Sequence, residues 1–383
     1  MNDILYTANN RFFIKSDDGV REYTSRRITK YYENVRSIRR RHEWKTSGEG
    51  AKFIGAYDPG ADGEEENHQT QINGVAGNGG GWVYSVTLGD VGGLCGKTAA
   101  DDAEEEHIFS SNTVQIYRIS VSGNRCAASV GDLFERHIAV FDLAAGQYRE
   151  LTEGNVREDY PAYSRNGDKI FFSSAGLAVS ADGYPVGAGP SGIFCYDTRT
   201  DSMEELLMAE EYDYLAPRED RDGNLLFIRR PYKSGRDSGN ILKDILLFPV
   251  RLIRAIGGLL NLFSVIFGGE SLRSGQSARD VKAKRKKEKD LFFDGNVIQA
   301  QQTLKENQRR GEKFPGIIPH KWELVRADKD GEQTVLKKGV MDYTLCENGD
   351  IVYSNGSAVI RLPASGGEQL VDKCRMAHHI TEL

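Results

Sequence analysis

The sequence predicts an all-β protein, a six- or seven-bladed β-propeller that is closed by its N- and C-terminal strands and carries one α-helical insertion. Three observations support this prediction: a recurring strand–turn–strand pattern, a match between that pattern and the two chain ends, and one interval too long for a single blade. Repeats of this size are typical of stacked or radial architectures. We therefore assign residues 1–232 and 320–383 to the propeller and residues 233–319 to the insertion.

The repeat is clearest at Asp159–Ser174, where an Asp-Tyr pair, an Asn-Gly dipeptide and an alternating Ile/Phe/Ser run follow one another. Similar runs begin at Asp213 and at Asp342. Because Asn-Gly readily adopts positive φ, each copy predicts two strands joined by a tight, two-residue hairpin turn.

The two chain ends together form a further copy of the repeat. Asn2–Asn10 matches Gly349–Gly356 almost position by position, and His378–Leu383 supplies the strand that should precede it. A blade built from both termini closes a ring and leaves no open sheet edge. This favours a propeller over a linear solenoid, whose ends stay apart.

The remaining N-terminal elements follow from the same comparison. Arg11–Lys15 and Val20–Tyr23 should complete the blade that the termini share. A second blade is predicted to start with Asn34–Arg36 and Trp44 and to continue through Gly50–Gly55, whose order resembles that of Asn155–Phe172. Further strands are predicted between residues 57 and 153, at Trp82–Leu88, Val114–Ile119 and His137–Leu143.

Composition excludes several classes of function. The 383 residues have a net charge of −6, which gives no general reason to expect a nucleic-acid partner. The cysteines are odd in number and lack C-x-x-C spacing, which predicts reduced thiols and no zinc site; they are Cys95, Cys126, Cys195, Cys346 and Cys374. The first residues lack a basic region followed by an apolar one, so we expect a cytoplasmic protein.

The run Asp159-Tyr160-Pro161-x-Tyr163-Ser164-x-Asn166-Gly167-Asp168-Lys169-Ile170-Phe171-Phe172-Ser173 resembles the repeat of TolB-like (WD-repeat-like) β-propellers. A similar repeat occurs in the propeller domains of prolyl-oligopeptidase-type proteins. The resemblance covers about half of the chain and implies a propeller that serves as a scaffold or binding platform. It implies no peptidase activity, because no hydrolase domain follows.

The insertion is the most informative segment outside the repeats. Asp213 and Asp342 lie about 80 residues further apart than one blade of about 40 to 50 residues needs. On a helix, Ile241–Phe267 would place its few polar side chains on one narrow stripe and surround them with Leu, Ile, Phe and Val. A bilayer span is disfavoured, because the apolar gain of roughly −7 kcal/mol is offset by about +6 kcal/mol for Arg251 and Arg254.

A position in the membrane interface fits this pattern better, since the arginines can reach headgroups while the apolar face sinks. A polybasic run follows at Arg279–Lys289, and such residues attract an anionic leaflet. The predicted membrane-binding residues are Leu246, Phe248, Leu252, Ile253, Ile256, Leu259, Leu260, Phe263, Ile266, Phe267, Arg251, Arg254, Lys284, Arg285, Lys286 and Lys287. The alternative is a helix that packs on the propeller or on a partner, followed by a solvated basic tail.

Other motifs do not amount to a site. Gly89–Thr98 lacks the first glycine of a phosphate-binding loop and is predicted to be a Gly-rich loop. Gly235–Gly239 resembles the surroundings of a serine nucleophile but has no His/Asp partner. His378 and His379 could lie near the ring axis beside Asp342 and Asp159 equivalents, where a metal is conceivable but ordinary hydrogen bonding is the default. The basic patch around Arg39–Arg41 is expected to be a solvated loop.

We therefore assign no catalytic, cofactor-binding or metal-binding residue and expect no cofactor. The sequence predicts a non-enzymatic scaffold or sensor on the inner face of the cell membrane. Its expected partners are an anionic membrane surface and an unknown protein on the propeller face, with no nucleic acid. The alternative is an enzyme or small-ligand binder that uses the central axial cleft.

Overall fold

The structure is a computed structural model that describes residues 3–46, 70–98, 104–180, 185–232, 291–293 and 296–383. Its first sheet joins the two ends of the chain. In the order of pairing, this terminal blade contains β27 (His378–Glu382), β1 (Ile4–Ala8), β2 (Arg11–Ser16) and β3 (Gly19–Tyr23). Ile4 pairs with Glu382 and Leu5 pairs with Thr381. The predicted closure by terminal strands is confirmed.

Five further sets of four antiparallel strands follow along the chain. The second blade contains β4 (Thr70–Gly77), β5 (Gly81–Leu88), β6 (Val91–Thr98) and β7 (Glu106–Ser111). The third contains β8 (Gln115–Ser122), β9 (Arg125–Gly131), β10 (Arg136–Asp142) and β11 (Gln147–Glu150). The fourth contains β12 (Val156–Tyr163), β13 (Lys169–Val179), β15 (Gly192–Asp197) and β16 (Ser202–Leu207), with β14 (Pro185–Ala188) paired to β13.

The last two blades complete the ring. The fifth contains β17 (Tyr212–Glu219), β18 (Leu225–Pro231), β21 (Glu323–Ala327) and β22 (Gln333–Lys338). The sixth contains β23 (Asp342–Leu345), β24 (Ile351–Ser354), β25 (Val359–Leu362) and β26 (Gln369–Asp372). One parallel pairing, Arg136 with Arg157, joins the third and fourth blades into a single nine-stranded sheet.

The innermost strands contact one another in a closed order. β27, β4, β8, β12 and β17 pack side by side, and β23 packs on β27. The Tyr343 hydroxyl donates to the Ala216 carbonyl oxygen at 2.8 Å and joins β17 to β23. The described part of the chain therefore forms an all-β propeller from six sets of strands. The total of six or seven blades stays a prediction for the whole chain.

Apolar side chains between neighbouring blades form the core. Between the terminal and second blades, Leu5, Phe12 and Tyr84 are almost completely buried, and the edge of the Tyr84 ring meets Phe12. Burying one such side chain contributes about 1.5–3 kcal/mol. Side chains of β1, β2 and β5 thus hold the terminal and second blades together.

The turn of the clearest repeat, Asp159–Ser174, is longer than predicted. It spans residues 164–168, and only Gly167 has positive φ, at 74°. The Asn166 side-chain oxygen accepts the Ser164 hydroxyl at 2.7 Å and the Asp168 N–H at 3.2 Å. The predicted two-residue turn is wrong, because these side-chain bonds close a wider loop in which one glycine suffices.

A helix replaces the predicted start of the second blade. α1 (Arg26–Thr46) contains Asn34–Arg36 and Trp44, so their assignment to a blade is wrong. The Ser25 hydroxyl oxygen accepts the Ile28 N–H at 3.2 Å, and the Glu105 carboxylate accepts the Arg27 N–H at 2.9 Å. Both contacts stabilise a helix N-terminus.

Two other predictions, for the basic residues Arg39–Arg41 and for the Gly-rich segment Gly89–Thr98, are also wrong. The basic residues Arg39–Arg41 belong to α1 and not to a loop. Residues 47–69, which include Gly50–Gly55, lie outside the described part. The predicted Gly-rich loop is also wrong, because residues 91–98 form strand β6. A Cβ on Gly92 would lie 2.3 Å from the Val114 carbonyl oxygen, so glycine there permits close packing of the third blade.

The described part of the insertion packs on the propeller. It contains a hairpin of β19 (Leu291–Phe293) and β20 (Asn296–Ile298) followed by helix α2 (Ala300–Arg309). Ile298 and Ala300 share a core cluster with Trp322. All the predicted membrane-binding residues lie outside the described residues. Neither described helix is long and apolar enough to cross a bilayer.

Candidate axial ligand site

A small cavity lies where the innermost strands converge. Its volume is about 30 Å³, and every innermost strand contributes to its wall. The lining residues are Val75, Arg118, Ile119, Tyr160, Pro161, Ala162, Ala216, Pro217, Arg218, Asp342, His379 and Ile380. Because six strands of different blades meet only around the propeller axis, the cavity is axial.

Bulges in the inner strands shape this wall. The pairing register shifts at Tyr160 on β12, at Ala216 on β17 and near His379 on β27. These three residues have φ of 58°, 53° and 53°. Such backbone is uncommon for residues other than glycine and clusters at functional sites. A bulge also re-aims its side chains, so the backbone is adapted locally around the cavity.

Arg118, Tyr160 and Asp342 form the polar centre of the site. Arg118 Nη1 lies 3.5 Å from Asp342 Oδ2, and its Nη2 donates to the Tyr160 hydroxyl at 3.3 Å. The guanidinium carbon also lies 4.3 Å from the centre of the Tyr160 ring. Asp342 is fixed by the backbone, since its two oxygens accept the N–H groups of Tyr343, at 2.9 Å, and His379, at 2.5 Å.

A second arginine lines the same cavity. The Arg218 guanidinium lies 5.7 Å from the centre of the Tyr343 ring. Its Nε is buried and has no hydrogen-bond partner within the described part of the chain. Among those residues, Arg218 also lacks a carboxylate within ion-pair distance. The site therefore holds a cation whose hydrogen-bonding capacity is incompletely used.

The histidines at the axis do not add positive charge at neutral pH. Burial lowers the pKa of His379 well below its ordinary value, and the nearby Arg118 guanidinium lowers it further. Loss of hydration also lowers the pKa of His378, whose Nδ1 lies 2.8 Å from the Met376 carbonyl oxygen. The two rings are 4.4 Å apart, so protonating one would disfavour protonating the other.

The equivalent aspartates of the other repeats serve the scaffold. Asp159 binds Arg136 Nη1 at 2.6 Å and accepts the Tyr160 N–H at 3.1 Å. Asp213 binds Arg230 Nε at 3.1 Å and accepts the Ser191 N–H at 3.0 Å. The repeat thus encodes a buried Asp–Arg pair, and only the copy at Asp342 lines the axial cavity.

Solved structures show the same fold. TolB from Acinetobacter baumannii superimposes with a TM-score of 0.52 at 12% identity, over 99% of this chain and 66% of that one. The chain has the fold of a TolB-like β-propeller. A chain of the nidogen/laminin complex gives a TM-score of 0.50 at 8% identity, over 100% of this chain and 98% of that one. The tricorn protease gives 0.47 at 13% identity, over 98% of this chain and 34% of that one.

The chain therefore spans about two thirds of the length of the TolB chain. No family model matches this sequence. No curated protein matches it either. At these identities the structural likeness describes the fold of the propeller and not its activity.

The structure brings together some of the residues singled out from sequence. His379 does lie against Asp342 at the axis, as the position of the terminal strand predicts. Asp159 does not share this site, since its carboxylate binds Arg136. Within the described residues, no group of three or more His, Cys, Asp or Glu side chains could hold a metal ion. Gly235–Gly239 lies outside the described part.

Sequence reasoning missed Arg118, Arg218 and Tyr160 as members of one site. A usable signal was present, because Pro161 and Pro217 each lie inside a strand pattern shortly after a repeat aspartate, two residues after Asp159 and four residues after Asp213. A proline inside a strand pattern indicates a bulge or an edge. The residues beside these prolines could have been predicted to face the axis; Arg118 has no such marker.

Proposed function

We propose that this chain is a non-enzymatic propeller scaffold or sensor, cytoplasmic and peripherally associated with a membrane through its insertion. The main support is where the insertion joins the ring. Arg229 on β18 pairs directly with Glu323 on β21, although 93 residues separate them in the sequence. The insertion therefore lies between the two middle strands of the fifth blade, where it adds a segment without interrupting the ring.

The return path is firmly attached to the propeller. The Asn355 amide nitrogen donates to the Phe314 carbonyl oxygen at 2.7 Å, and the Ile317 N–H donates to the Asn355 carbonyl oxygen at 3.1 Å. The hairpin before α2 begins at Leu291, directly after the polybasic run. A lipid-binding segment ending there would be held close to a rigid platform.

The use of the repeat carboxylates supports a non-enzymatic role. Asp159 and Asp213 are each engaged by a buried arginine and a backbone N–H. These bonds stabilise the carboxylates as structural acceptors rather than as proton-transfer groups. A platform that displays its outer surface to a partner protein requires such rigidity and no reactive centre.

Co-sedimentation with vesicles tests the membrane part of the proposal. The intact chain and a variant with residues 236–290 replaced by a short Gly/Ser linker are compared on phosphatidylcholine vesicles with and without 30% phosphatidylserine. Each basic residue near an anionic surface contributes about 1 kcal/mol, so binding to anionic vesicles should fall at least about tenfold on deletion. Equal binding by both proteins would contradict the proposal.

A charge-matched control distinguishes binding by the basic run from attraction of the whole protein's positive charges to the vesicle. One variant changes four basic residues of the run to Ser, at Lys284, Arg285, Lys286 and Lys287. The control changes four exposed basic residues of the propeller, at Arg11, Arg149, Arg199 and Lys338. We expect the first variant to lose binding and the control to retain it. The reverse result would place membrane contact on the ring.

One observation favours a second function. The axial cavity has a positive-φ backbone at three wall residues and an incompletely satisfied arginine, features of a ligand site rather than of a filled core. Small-ligand binding at the axis is therefore the alternative, and it does not depend on the membrane proposal.

A further inference from the structure

We infer that the axial cavity binds a carboxylate group, which the guanidinium groups of Arg118 and Arg218 and the Tyr160 hydroxyl would hold. This inference goes beyond membrane association and does not require it. It depends on the charge, the hydrogen-bonding capacity and the size of the cavity.

The charges around the cavity favour an anion. Arg118 and Arg218 are two cations, and Asp342 is the one carboxylate among the described residues that line the wall. His379 is neutral at pH 7 because burial lowers its pKa. The lining thus has a net charge of +1 in a partly desolvated position, where an opposite charge interacts more strongly than in water.

The donors also match a carboxylate. The Arg218 side chain lines the cavity and has no carboxylate within ion-pair distance among the described residues. Its Nε is enclosed by protein, so a carboxylate in the cavity would meet this guanidinium at its Nη groups. The guanidinium fork fits the two oxygens of a carboxylate. The existing Asp342 cannot serve both arginines, since its oxygens already accept two backbone N–H groups and it contacts Arg118 at 3.5 Å.

The size of the cavity limits the ligand. The cavity has a volume of about 30 Å³. Measured in the same way, one water molecule needs about 10–15 Å³. The enclosed space therefore admits a group of two or three heavy atoms. A carboxylate group fits, either as a free small acid such as formate or as the terminal carboxylate of a peptide that enters along the axis.

Formate is the direct probe. Thermal unfolding of the full chain is followed while sodium formate replaces sodium gluconate at constant ionic strength, because gluconate is too large for the cavity. Binding to the folded state raises the melting temperature as formate rises. We expect Arg218→Gln to weaken formate binding at least about tenfold. The control Arg199→Gln, at an exposed position, should keep the wild-type response.

A second variant covers the case in which Arg218→Gln fails to fold. Asp342→Asn removes the competing negative charge, so it should tighten formate binding, whereas a structural role alone predicts no tightening. Carbon-13 line broadening of labelled formate gives a reading that is independent of stability. No formate response in the wild type, or equal responses in wild type and Arg218→Gln, would overturn the inference.

Peptides distinguish the two sources of the carboxylate. A tripeptide with a free C-terminus is compared with its C-terminal amide under the same conditions. Tighter binding of the free peptide than of formate, abolished by amidation, identifies a chain end as the ligand. Binding of formate without binding of the peptide identifies a free small acid. The absence of formate binding would contradict the site and leave the vesicle experiment unaffected.

Discussion

The buried pair Arg136–Asp159 is the strongest test of the structural role assigned to the repeat aspartates. Nη1 and Oδ2 are 2.6 Å apart, and the two side chains keep only 8% and 11% of their exposure. Removing one partner of such a pair leaves an uncompensated buried charge and costs about 3–5 kcal/mol. Asp159→Ala should lower the free energy of unfolding by that amount.

Urea unfolding followed by tryptophan fluorescence measures this loss. The control is Glu22→Ala, because Arg11–Glu22 has a similar distance of 2.9 Å but exposures of 60% and 40%. An exposed pair contributes about 0–1 kcal/mol, so the control should change little. Replacing both members of the buried pair, as Arg136→Met with Asp159→Leu, should recover most of the loss. Equal effects of Asp159→Ala and Glu22→Ala would refute the reasoning.

Two further predictions concern packing and pH. Gly77→Ala should destabilise the protein by about 1–3 kcal/mol, because its Cβ would lie 2.1 Å from the Glu382 carbonyl oxygen. The control is Gly187→Ala, whose Cβ meets no atom within 4 Å. Similar urea midpoints for the two variants would contradict the contact. Folding lowers the pKa of His379, so as the pH falls this side chain takes up a proton in the unfolded chain before it does in the folded protein. The free energy of unfolding should therefore decrease as the pH drops below about 6.5, by up to about 1.4 kcal/mol per pH unit. Urea unfolding from pH 5 to 8 should show a shallower pH dependence for His379→Asn, and an unchanged slope would show that this ring does not control it.

The ring could be predicted from sequence because each repeat contains its own strand and turn signals. The apolar residues of these strands are buried at nearly every position, as in Ile4–Ala8, and the terminal strands repeat the pattern of Ile351–Ser354. These are local signals, so they can be recognised in one repeat without knowing how the neighbouring blades pack. The closure at Ile4 and Glu382 followed from them directly.

Helix α1 could not be predicted in the same way. Its N-terminus is stabilised by Glu105, which lies 78 residues from Arg27 in the sequence. The residues that resemble a repeat, Asn34–Arg36, are few and lack the alternation of a strand. A tertiary contact therefore decided between helix and strand, as commonly happens where local propensity is weak.

Only part of the candidate site could be predicted from the sequence. The neighbourhood of His379 and Asp342 followed from the position of β27, but Arg118 reaches them from the opposite part of the chain. Residues that meet at a propeller axis come from every blade, so their convergence depends on the number of blades and on the bulges. Neither can be read from one repeat.

Closure of the ring by the two chain ends is the central claim, and an engineered disulfide tests it most directly. The Leu383 N–H donates to the Asp3 carbonyl oxygen at 2.9 Å, which puts the two residues opposite each other at a separation suited to a disulfide. With Cys374→Ser as background, Asp3→Cys with Leu383→Cys should oxidise to a circular monomer whose altered gel mobility reverts on reduction. A control with Asp3→Cys and Asp330→Cys, on a turn of the fifth blade, should stay linear. Failure of the first pair to form an intramolecular disulfide, or equal oxidation of both pairs, would contradict a ring closed by its termini.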